Sequence, residues 1–318
     1  MTDLLITLAS ENPVDHVVNA VPHGWGIGDF LGMKDVWLWS AHVGNLILSG
    51  ILTILVLWWA SSKIRTGPES LGTGRYVTSN PFAHMIEVIC LYLRDSTARP
   101  LLGDRTDRFM PFLWTIFFFI LINNLLGLVP IADSLHLVDH LRGTHTLSGV
   151  IGSTATQNLY VTAALALIAA LVINLAGLRE LGIGGYLKHL TAGTPFYLWP
   201  LMIPIEIMGT LIKPVALALR LFANMTAGHI LVAVLFMFAV TGIGMLKTAT
   251  LGGVVLGGSI SGVSIGAAIA IYFLELFVAF LQAFVFMFLT AVFISQLSHH
   301  DEHEHHEAHD HEHAPAHA

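Results

Sequence analysis

Residues 251–297 read LGGVVLGGSISGVSIGAAIAIYFLELFVAFLQAFVFMFLTAVFISQL and contain one charged residue, Glu275. As a single helix rising 1.5 Å per residue, this stretch would be about 70 Å long, whereas the hydrocarbon core of a bilayer is about 30 Å thick. As a single helix, residues 199–240 would be about 60 Å long, which also exceeds the thickness of the hydrocarbon core. Each stretch must therefore break or cross the membrane obliquely, and we predict that the two form a long, steeply tilted helical hairpin.

The composition of the whole chain is typical of a membrane protein. Of the 318 residues, 55% are apolar and 11% are charged, and the mean hydropathy is +0.73. So few charges cannot cover a water-facing surface. The net charge of −7 comes mainly from six acidic residues after residue 300, and it argues against nucleic-acid binding. Cys90 is the single cysteine, which excludes an internal disulfide and a cysteine metal cluster.

Five apolar regions are long enough to span a membrane. They lie at residues 43–60, 110–130, 159–178, 199–240 and 251–297. A further segment, residues 82–102, carries Glu87, Arg94, Asp95 and Arg99 among apolar residues at helical spacing, which is typical of a helix along the membrane surface. We therefore predict an all-α membrane protein with five membrane-inserted helical regions and one interfacial amphipathic helix.

Basic residues predict the orientation, because Lys and Arg are retained on the cytoplasmic side. Nine of them lie in the loops of one side and three in the loops of the other. We expect an N-terminal segment outside the cytoplasm at residues 1–42, a membrane domain at residues 43–297 and a disordered cytoplasmic tail at residues 298–318. The N-terminal segment lacks the basic start and the cleavage pattern of a signal peptide.

Charged side chains interrupt the fourth apolar region at a regular spacing. Glu206, Lys213 and Arg220 are seven residues apart, so on a helix each lies about 20° from the previous one and the three share a stripe. A central arginine alone costs about 2.5 to 3.5 kcal/mol on insertion scales, which points to function. Asn224 lies on the same side, and the alanines around Arg220 let a second helix approach. Alternatively, Glu206 and Lys213 neutralise each other within the helix.

Two other ionisable residues lie in the long regions. His229 points about 180° away from Arg220, and Glu275 and Gln282, seven residues apart, share a face of the last region. Histidine and glutamate can take up and release protons, whereas arginine stays charged. The pattern predicts a proton pathway with a fixed electrostatic gate. Alternatively, His229 is a structural interior histidine, and Asn224 and Gln282 only join helices.

The run KPVALALRLFANMTAGH, from Lys213 to His229, resembles the signature of subunit a of the F-type ATP synthases, the membrane stator of the proton motor. Further agreement comes from LQAFVFM at residues 281–287, from NLLGLVP at residues 124–130 and from Glu206. Together these motifs extend the resemblance over residues 43–297.

The resemblance implies a role for each polar residue of these motifs. Arg220 would face the rotor and couple proton translocation to its rotation. The remaining pathway residues would be His229 and Glu275 in the uptake half-channel, Glu206 and Lys213 toward the release half-channel, Asn224 and Gln282 beside the arginine, and Asn124 in the second-span motif. Gly127 stands where some members carry an acid, so no role of that acid transfers to this chain.

The same resemblance implies protein partners and no cofactor. The chain would contact the c-ring rotor subunits, the peripheral-stalk subunit b, other ATP synthase subunits and the lipid bilayer, and it would bind no nucleic acid. It would not be an enzyme by itself, and its sequence contains no phosphate-binding loop of the Walker type. A multi-pass protein of a bacterial inner membrane is expected, with the N-terminus outside and the C-terminus in the cytoplasm.

The tail and the overall composition leave two alternatives open. Histidine-rich tracts can bind zinc or nickel weakly, and the candidate ligands in the tail are His299, His300, His303, His305 and His306. The other interpretation of the tail is a solvated segment without metal. For the membrane domain, the alternative function is a self-contained ion or metal secondary transporter, although no inverted repeat relates its first three spans to its last two.

Overall fold

The computed structural model describes residues 26–30, 33–37, 41–64, 78, 80–129, 155–190, 196–246 and 250–298. The tail with its candidate metal ligands and most of the N-terminal segment lie outside these residues.

Seven α-helices form the described part of the chain. They are α1 Ala41–Lys63, α2 Pro81–Leu91, α3 Arg99–Leu102, α4 Thr106–Leu128, α5 Leu159–Leu190, α6 Trp199–Leu246 and α7 Leu251–Ser298. A π-helix, Tyr92–Ala98, joins α2 to α3, and short 3₁₀ turns at Gly103–Arg105, Ala155–Gln157 and Phe196–Leu198 precede α4, α5 and α6. Five helical segments are long and apolar enough to cross a membrane, which confirms the predicted fold class.

A small strand pair that the sequence did not predict precedes the first span. Strands β1 (Gly26–Phe30) and β2 (Met33–Trp37) pair antiparallel, with Gly26 opposite Trp37 and Phe30 opposite Met33. The register shifts between these two pairs.

Helices α6 and α7 are each continuous over 48 residues. Neither Pro204 nor Pro214 ends α6, although both lie inside it. A helix of 48 residues is roughly 70 Å long, so without a break it can lie within a bilayer only at a steep tilt. In contrast, α5 is interrupted at Gly182, whose φ of 66° and ψ of 177° lie in a region open to glycine.

The chain forms two compact units. Unit 1 comprises Met1–Ile54, Phe118–Thr162 and Leu219–Ala283, and unit 2 comprises Leu55–Phe117, Ala163–Ala218 and Phe284–Ala318. Unit 1 therefore collects the start of α1, the end of α4, the start of α5, the end of α6 and the start of α7. Successive long helices contribute alternate ends, as expected for a chain that crosses a membrane back and forth.

In unit 1, α6 and α7 pack closely as an antiparallel pair. A methyl group placed at Gly242 of α6 would lie 2.7 Å from the carbonyl oxygen of Gly257 on α7, a distance too short for a real contact. Ser261 Oγ donates a hydrogen bond to the carbonyl oxygen of Ala239 at 2.9 Å. The glycines thus allow the two backbones to approach.

In unit 2, the charged residues of the interfacial segment are divided among α2 (Glu87), the π-helix (Arg94 and Asp95) and α3 (Arg99) rather than lying along one regular helix. Arg94 on the π-helix pairs with Asp107 on α4 at 2.7 Å. Trp114 Nε1 donates to the carbonyl oxygen of Cys90 at 3.2 Å, and Ser295 Oγ donates to the carbonyl oxygen of Leu101 at 2.7 Å. These contacts tie the interfacial segment to α4 and α7.

Candidate functional site

Arg220 lies on α6 in unit 1 and is exposed on the surface of the chain. Its guanidinium has no hydrogen bond or ion pair to any residue that the structure describes. The neighbouring Leu219 is 49% exposed and Ala223 is also exposed, so the charge projects from an apolar outer face. An unpaired charge on such a face is unfavourable in a membrane unless a partner supplies a counter-charge.

Glu275 lies on α7 and is buried, with 7% of its surface exposed. Its carboxyl group packs against Gly228 of α6, because a methyl group placed at Gly228 would lie 3.0 Å from Cδ of Glu275 and closer still to Oε1. Gly228 immediately precedes His229 in the sequence. The structure therefore brings Glu275 of α7 to the part of α6 that contains His229.

Asn124 of the second-span motif links three elements of unit 1. Its Nδ2 donates to the carbonyl oxygen of Ala279 on α7 at 3.4 Å, and its Oδ1 accepts a hydrogen bond from Thr156 Oγ1 at 3.1 Å. Ala279 lies one helical turn from Glu275 and one turn from Gln282. The structure thus brings Asn124 to the stretch of α7 between these two predicted residues.

Gln282 is 2% exposed, and its Nε2 atom has no hydrogen-bond partner within the described ranges. Asn224, predicted beside Arg220, is partly buried on α6. Thr226 Oγ1, also on α6, is buried and equally without a described partner. Buried polar atoms are almost always satisfied by protein or water, so these two atoms indicate places for ordered water.

Sequence reasoning missed several buried polar residues of unit 1, namely His42, Asn45, Asn123, Thr156 and Gln157. His42 and Asn45 have a signal in the sequence, because they begin a polar series at helical spacing in an otherwise apolar span. Asn123, Thr156 and Gln157 have no comparable signal, because single neutral polar side chains are less distinctive than charged ones.

In unit 2, Lys213 on α6 contacts α7. Its Nζ atom donates to Gln296 Oε1 at 3.2 Å and lies 5.0 Å from the ring centroid of Phe293. Glu206 is partly buried, and no ion pair joins it to Lys213 in the part of the chain that the structure describes. The intrahelical pair considered as an alternative is therefore not formed, and Lys213 instead holds α6 against α7.

The described residues contain no cluster of three His, Cys, Asp or Glu side chains that could hold a metal ion.

Comparison with known proteins decides the family. The sequence model of the family described as ATP synthase A chain matches residues 44–295. The chain belongs to the ATP synthase A chain family. This confirms the resemblance carried by the motifs around Arg220 and Gln282. As a member of this family, the chain is a multi-pass membrane protein and a stator subunit of an F-type ATP synthase. That complex carries out proton transport and ATP synthesis, and this chain is not the catalytic subunit of the complex.

Curated relatives cover most of the ATP synthase chain described here. An ATP synthase subunit a from Myxococcus xanthus is 39% identical over 271 residues, which is 83% of this chain and 75% of the relative. An ATP synthase subunit a from Chloroherpeton thalassium is 38% identical over 298 residues, which is 91% of this chain and 78% of the relative. An ATP synthase subunit a 2 from Prosthecochloris aestuarii is 37% identical over 285 residues, which is 88% of this chain and 78% of the relative.

Proposed function

We propose that this subunit provides two offset proton half-channels and that Arg220 couples proton translocation to rotation of the c-ring. The observation that carries the proposal is the exposed, unpartnered guanidinium on an apolar face of α6. A carboxylate on a neighbouring rotor helix would supply the missing counter-charge. Membership of a multi-subunit family favours this function over a self-contained transporter.

The uptake half-channel lies in unit 1 and contains His229 and Glu275. The burial of Glu275 of α7 against Gly228 of α6, which precedes His229 in the sequence, supports this pairing of two proton-exchanging groups. Asn124, on α4, contacts Ala279 one turn beyond Glu275, and Gln282 lies about two turns beyond Glu275 on α7, where its unbonded Nε2 atom can bind water. A proton passing these residues would neutralise a rotor carboxylate, which can then turn into the lipid.

The release half-channel lies in unit 2 and contains Glu206 and Lys213. The contact of Lys213 with Gln296 holds α6 and α7 together at this level, while Glu206 stays partly exposed and available to a proton. The stripe that joins both residues to Arg220 follows from their spacing along one continuous helix. Protons leave this half-channel to the cytoplasm, because the count of basic residues in the loops assigns this side of the membrane to the cytoplasm.

Arg220 separates the two half-channels. Its permanent charge attracts the ionised rotor carboxylate, promotes proton release from it and obstructs a direct leak. One proton crossing 100 mV releases about 2.3 kcal/mol, so several protons must be coupled to each ATP. The nucleotide chemistry belongs to other subunits.

The proposal extends to assembly and location. The partners are the c-ring, peripheral-stalk subunit b, the other synthase subunits and lipid, and the location is a bacterial inner membrane. Residues 1–42 lie outside the cytoplasm, residues 43–297 form the proton-channel domain, and residues 298–318 form a cytoplasmic tail with at most a weak metal site.

Cysteine cross-linking to the rotor tests the proposal. In a Cys90→Ser background, Ala223→Cys is placed on the Arg220 face, and Phe236→Cys is the control. Phe236 is 49% exposed but points about 160° away from Arg220. We expect Ala223→Cys to cross-link to a small, acid-bearing ring subunit and Phe236→Cys to fail. Equal yields, or no cross-link from Ala223→Cys in an assembled complex, would contradict the proposed rotor face.

A further inference from the structure

Two adjacent asparagines on α4 have different surroundings. Asn124 bonds to Ala279 and Thr156. Asn123 is also 0% exposed, but neither polar atom of its amide has a hydrogen-bond partner among the residues described. An amide can donate two hydrogen bonds and accept two. Its burial without a protein partner therefore points to a small polar ligand at this position.

Water fits the unsatisfied amide of Asn123. A buried water typically bonds to otherwise unsatisfied polar groups, and it both donates and accepts. A metal ion would need several ligands, and the described ranges contain no metal-binding cluster. Gln282 Nε2 and Thr226 Oγ1 share the same need within unit 1. Unit 1 thus contains unsatisfied polar groups on α4, α6 and α7.

The start of α1 provides further polar groups at the depth of Asn123. Unit 1 contains the start of α1 and the end of α4, so the two helices run in opposite directions. They meet where a methyl group placed at Gly50 would lie 3.8 Å from Cε2 of Phe119. Asn123 lies four residues beyond Phe119, which is about 6 Å along α4. Asn45 lies five residues before Gly50, which is about 8 Å along α1 in the same direction, so Asn45 and Asn123 are at a similar depth.

The α1 residues at this depth are buried despite being polar. Asn45 is 1% exposed, and His42, about one turn further along, is 2% exposed. A helix that only faced lipid and apolar core would not place such side chains inside. Their burial indicates a polar region within unit 1.

We propose that Asn123 holds a water molecule inside unit 1, and that α1, through His42 and Asn45, forms one wall of the outer part of the proton-uptake half-channel. The role in proton uptake rests on the proposed function. Asn123 is a positioning residue, since it orients water and does not itself exchange protons. In this chain the outer path is lined by neutral amides and a histidine, where Gly127 provides no acid.

Thiol reactivity tests the water site without relying on activity. Asn123→Cys and Ile120→Cys are compared in the Cys90→Ser background, because Ile120 lies on the same helix and is equally buried at 0% exposure. The probe is silver ion added to membrane vesicles from the outer side, and the readout is the rate of thiol loss. We expect Asn123→Cys to react at least about tenfold faster, since a thiol in dry apolar surroundings ionises poorly. Equal rates would overturn the water site.

The α1 wall is tested by adding Asn45→Leu to Asn123→Cys. We expect this change to slow the silver reaction about tenfold, because an apolar side chain at Asn45 excludes water from the thiol. An unchanged rate would remove α1 from the path.

Proton conduction through the membrane sector provides a second measurement. Asn123→Leu should assemble normally and conduct protons at least about fivefold more slowly, whereas Asn123→Ser, which can still bind water, should stay within about twofold of the parent. Unimpaired conduction in Asn123→Leu would show that this water is not on the path. Slow silver reactivity combined with loss of ATP synthesis in Arg220→Ala would overturn the water site alone. Fast reactivity with normal synthesis in Arg220→Ala would overturn the proposed function instead.

Discussion

We expect proton pumping to depend on Gly228, because the absence of a side chain at this position makes room for the carboxyl group of Glu275. An alanine methyl group there would lie 3.0 Å from Cδ and 3.2 Å from Cγ of Glu275, and closer still to Oε1. These distances are shorter than ordinary carbon contacts, so the carboxyl group would have to move by about 1 Å. Alanine is the better helix former by about 1 kcal/mol, so any defect must come from this overlap.

We expect Gly228→Ala to slow ATP-driven proton pumping about tenfold to a hundredfold, because a displacement of about 1 Å at a reacting group has effects of this size. Pumping is measured by the quenching of a pH-sensitive dye in inverted membrane vesicles, with the amount of assembled complex determined separately. The matched control is Gly244→Ala on the same helix, where nothing lies within 4 Å of the added methyl group.

A compensating change makes the test sharper. Glu275→Asp shortens the side chain by one methylene, so combined with Gly228→Ala it should recover part of the lost pumping. If Gly228→Ala pumps as fast as Gly244→Ala, the reasoning about the carboxyl position is refuted. Failure of the double variant to exceed Gly228→Ala would weaken the steric explanation specifically.

Three further predictions concern the α6–α7 pair and the tail. Gly242→Ala should destabilise the subunit by about 1 to 3 kcal/mol, because its methyl group overlaps Gly257 on α7; normal heat resistance of the purified complex would contradict this. Lys213→Met should slow proton release, and Gln296→Leu, which removes its hydrogen-bond acceptor, should cause part of the same defect; normal pumping by Lys213→Met would argue against its role. Deletion of residues 299–318 should leave assembly and ATP synthesis intact between pH about 6 and 8, with or without zinc, and a severe defect without metal would show that the tail is needed.

Hydropathy predicted the membrane spans well, but it did not predict where the helices end. The third region, residues 159–178, agrees with the membrane-capable segment Leu159–Arg179, and beyond the interruption at Gly182 the helical structure of α5 extends to Leu190. Charged residues end a membrane span without ending a helix, so composition alone marks the span and not the helix. The strand pair at Gly26–Phe30 and Met33–Trp37 escaped prediction because each segment has only five residues, the first contains two glycines, and neither shows a clear alternation of polar and apolar residues.

The periodicity of the interfacial segment predicts a helix but not the type of helix. The segment is helical as predicted, but residues Tyr92–Ala98 form a π-helix, and Arg94 within it makes a tertiary contact with Asp107. Those contacts join residues 13 positions apart and depend on how the chain turns into α4.

In the candidate site too, some residues are evident from the sequence and others only from the structure. Arg220 and Glu275 stand out in the sequence because a charge in a membrane segment is costly and needs a reason. Asn123 does not stand out, because a neutral amide in an apolar helix is less costly and acquires meaning only from its burial without a partner. The packing of Glu275 against Gly228 likewise follows from the register of α6 and α7, which sequence periodicity leaves open.

ATP synthesis by an assembled Arg220→Ala complex tests the central claim most directly. The account predicts no synthesis driven by a proton gradient, because Arg220 is the only Lys or Arg in the sequence between Lys213 and Lys247. Arg220→Lys should also fail or nearly fail, since an ammonium lacks the delocalised guanidinium and can lose its proton when desolvated. The control is Leu219→Ala, which truncates the adjacent exposed side chain and should retain synthesis. Near-normal synthesis in an Arg220→Ala complex of normal composition would contradict the account.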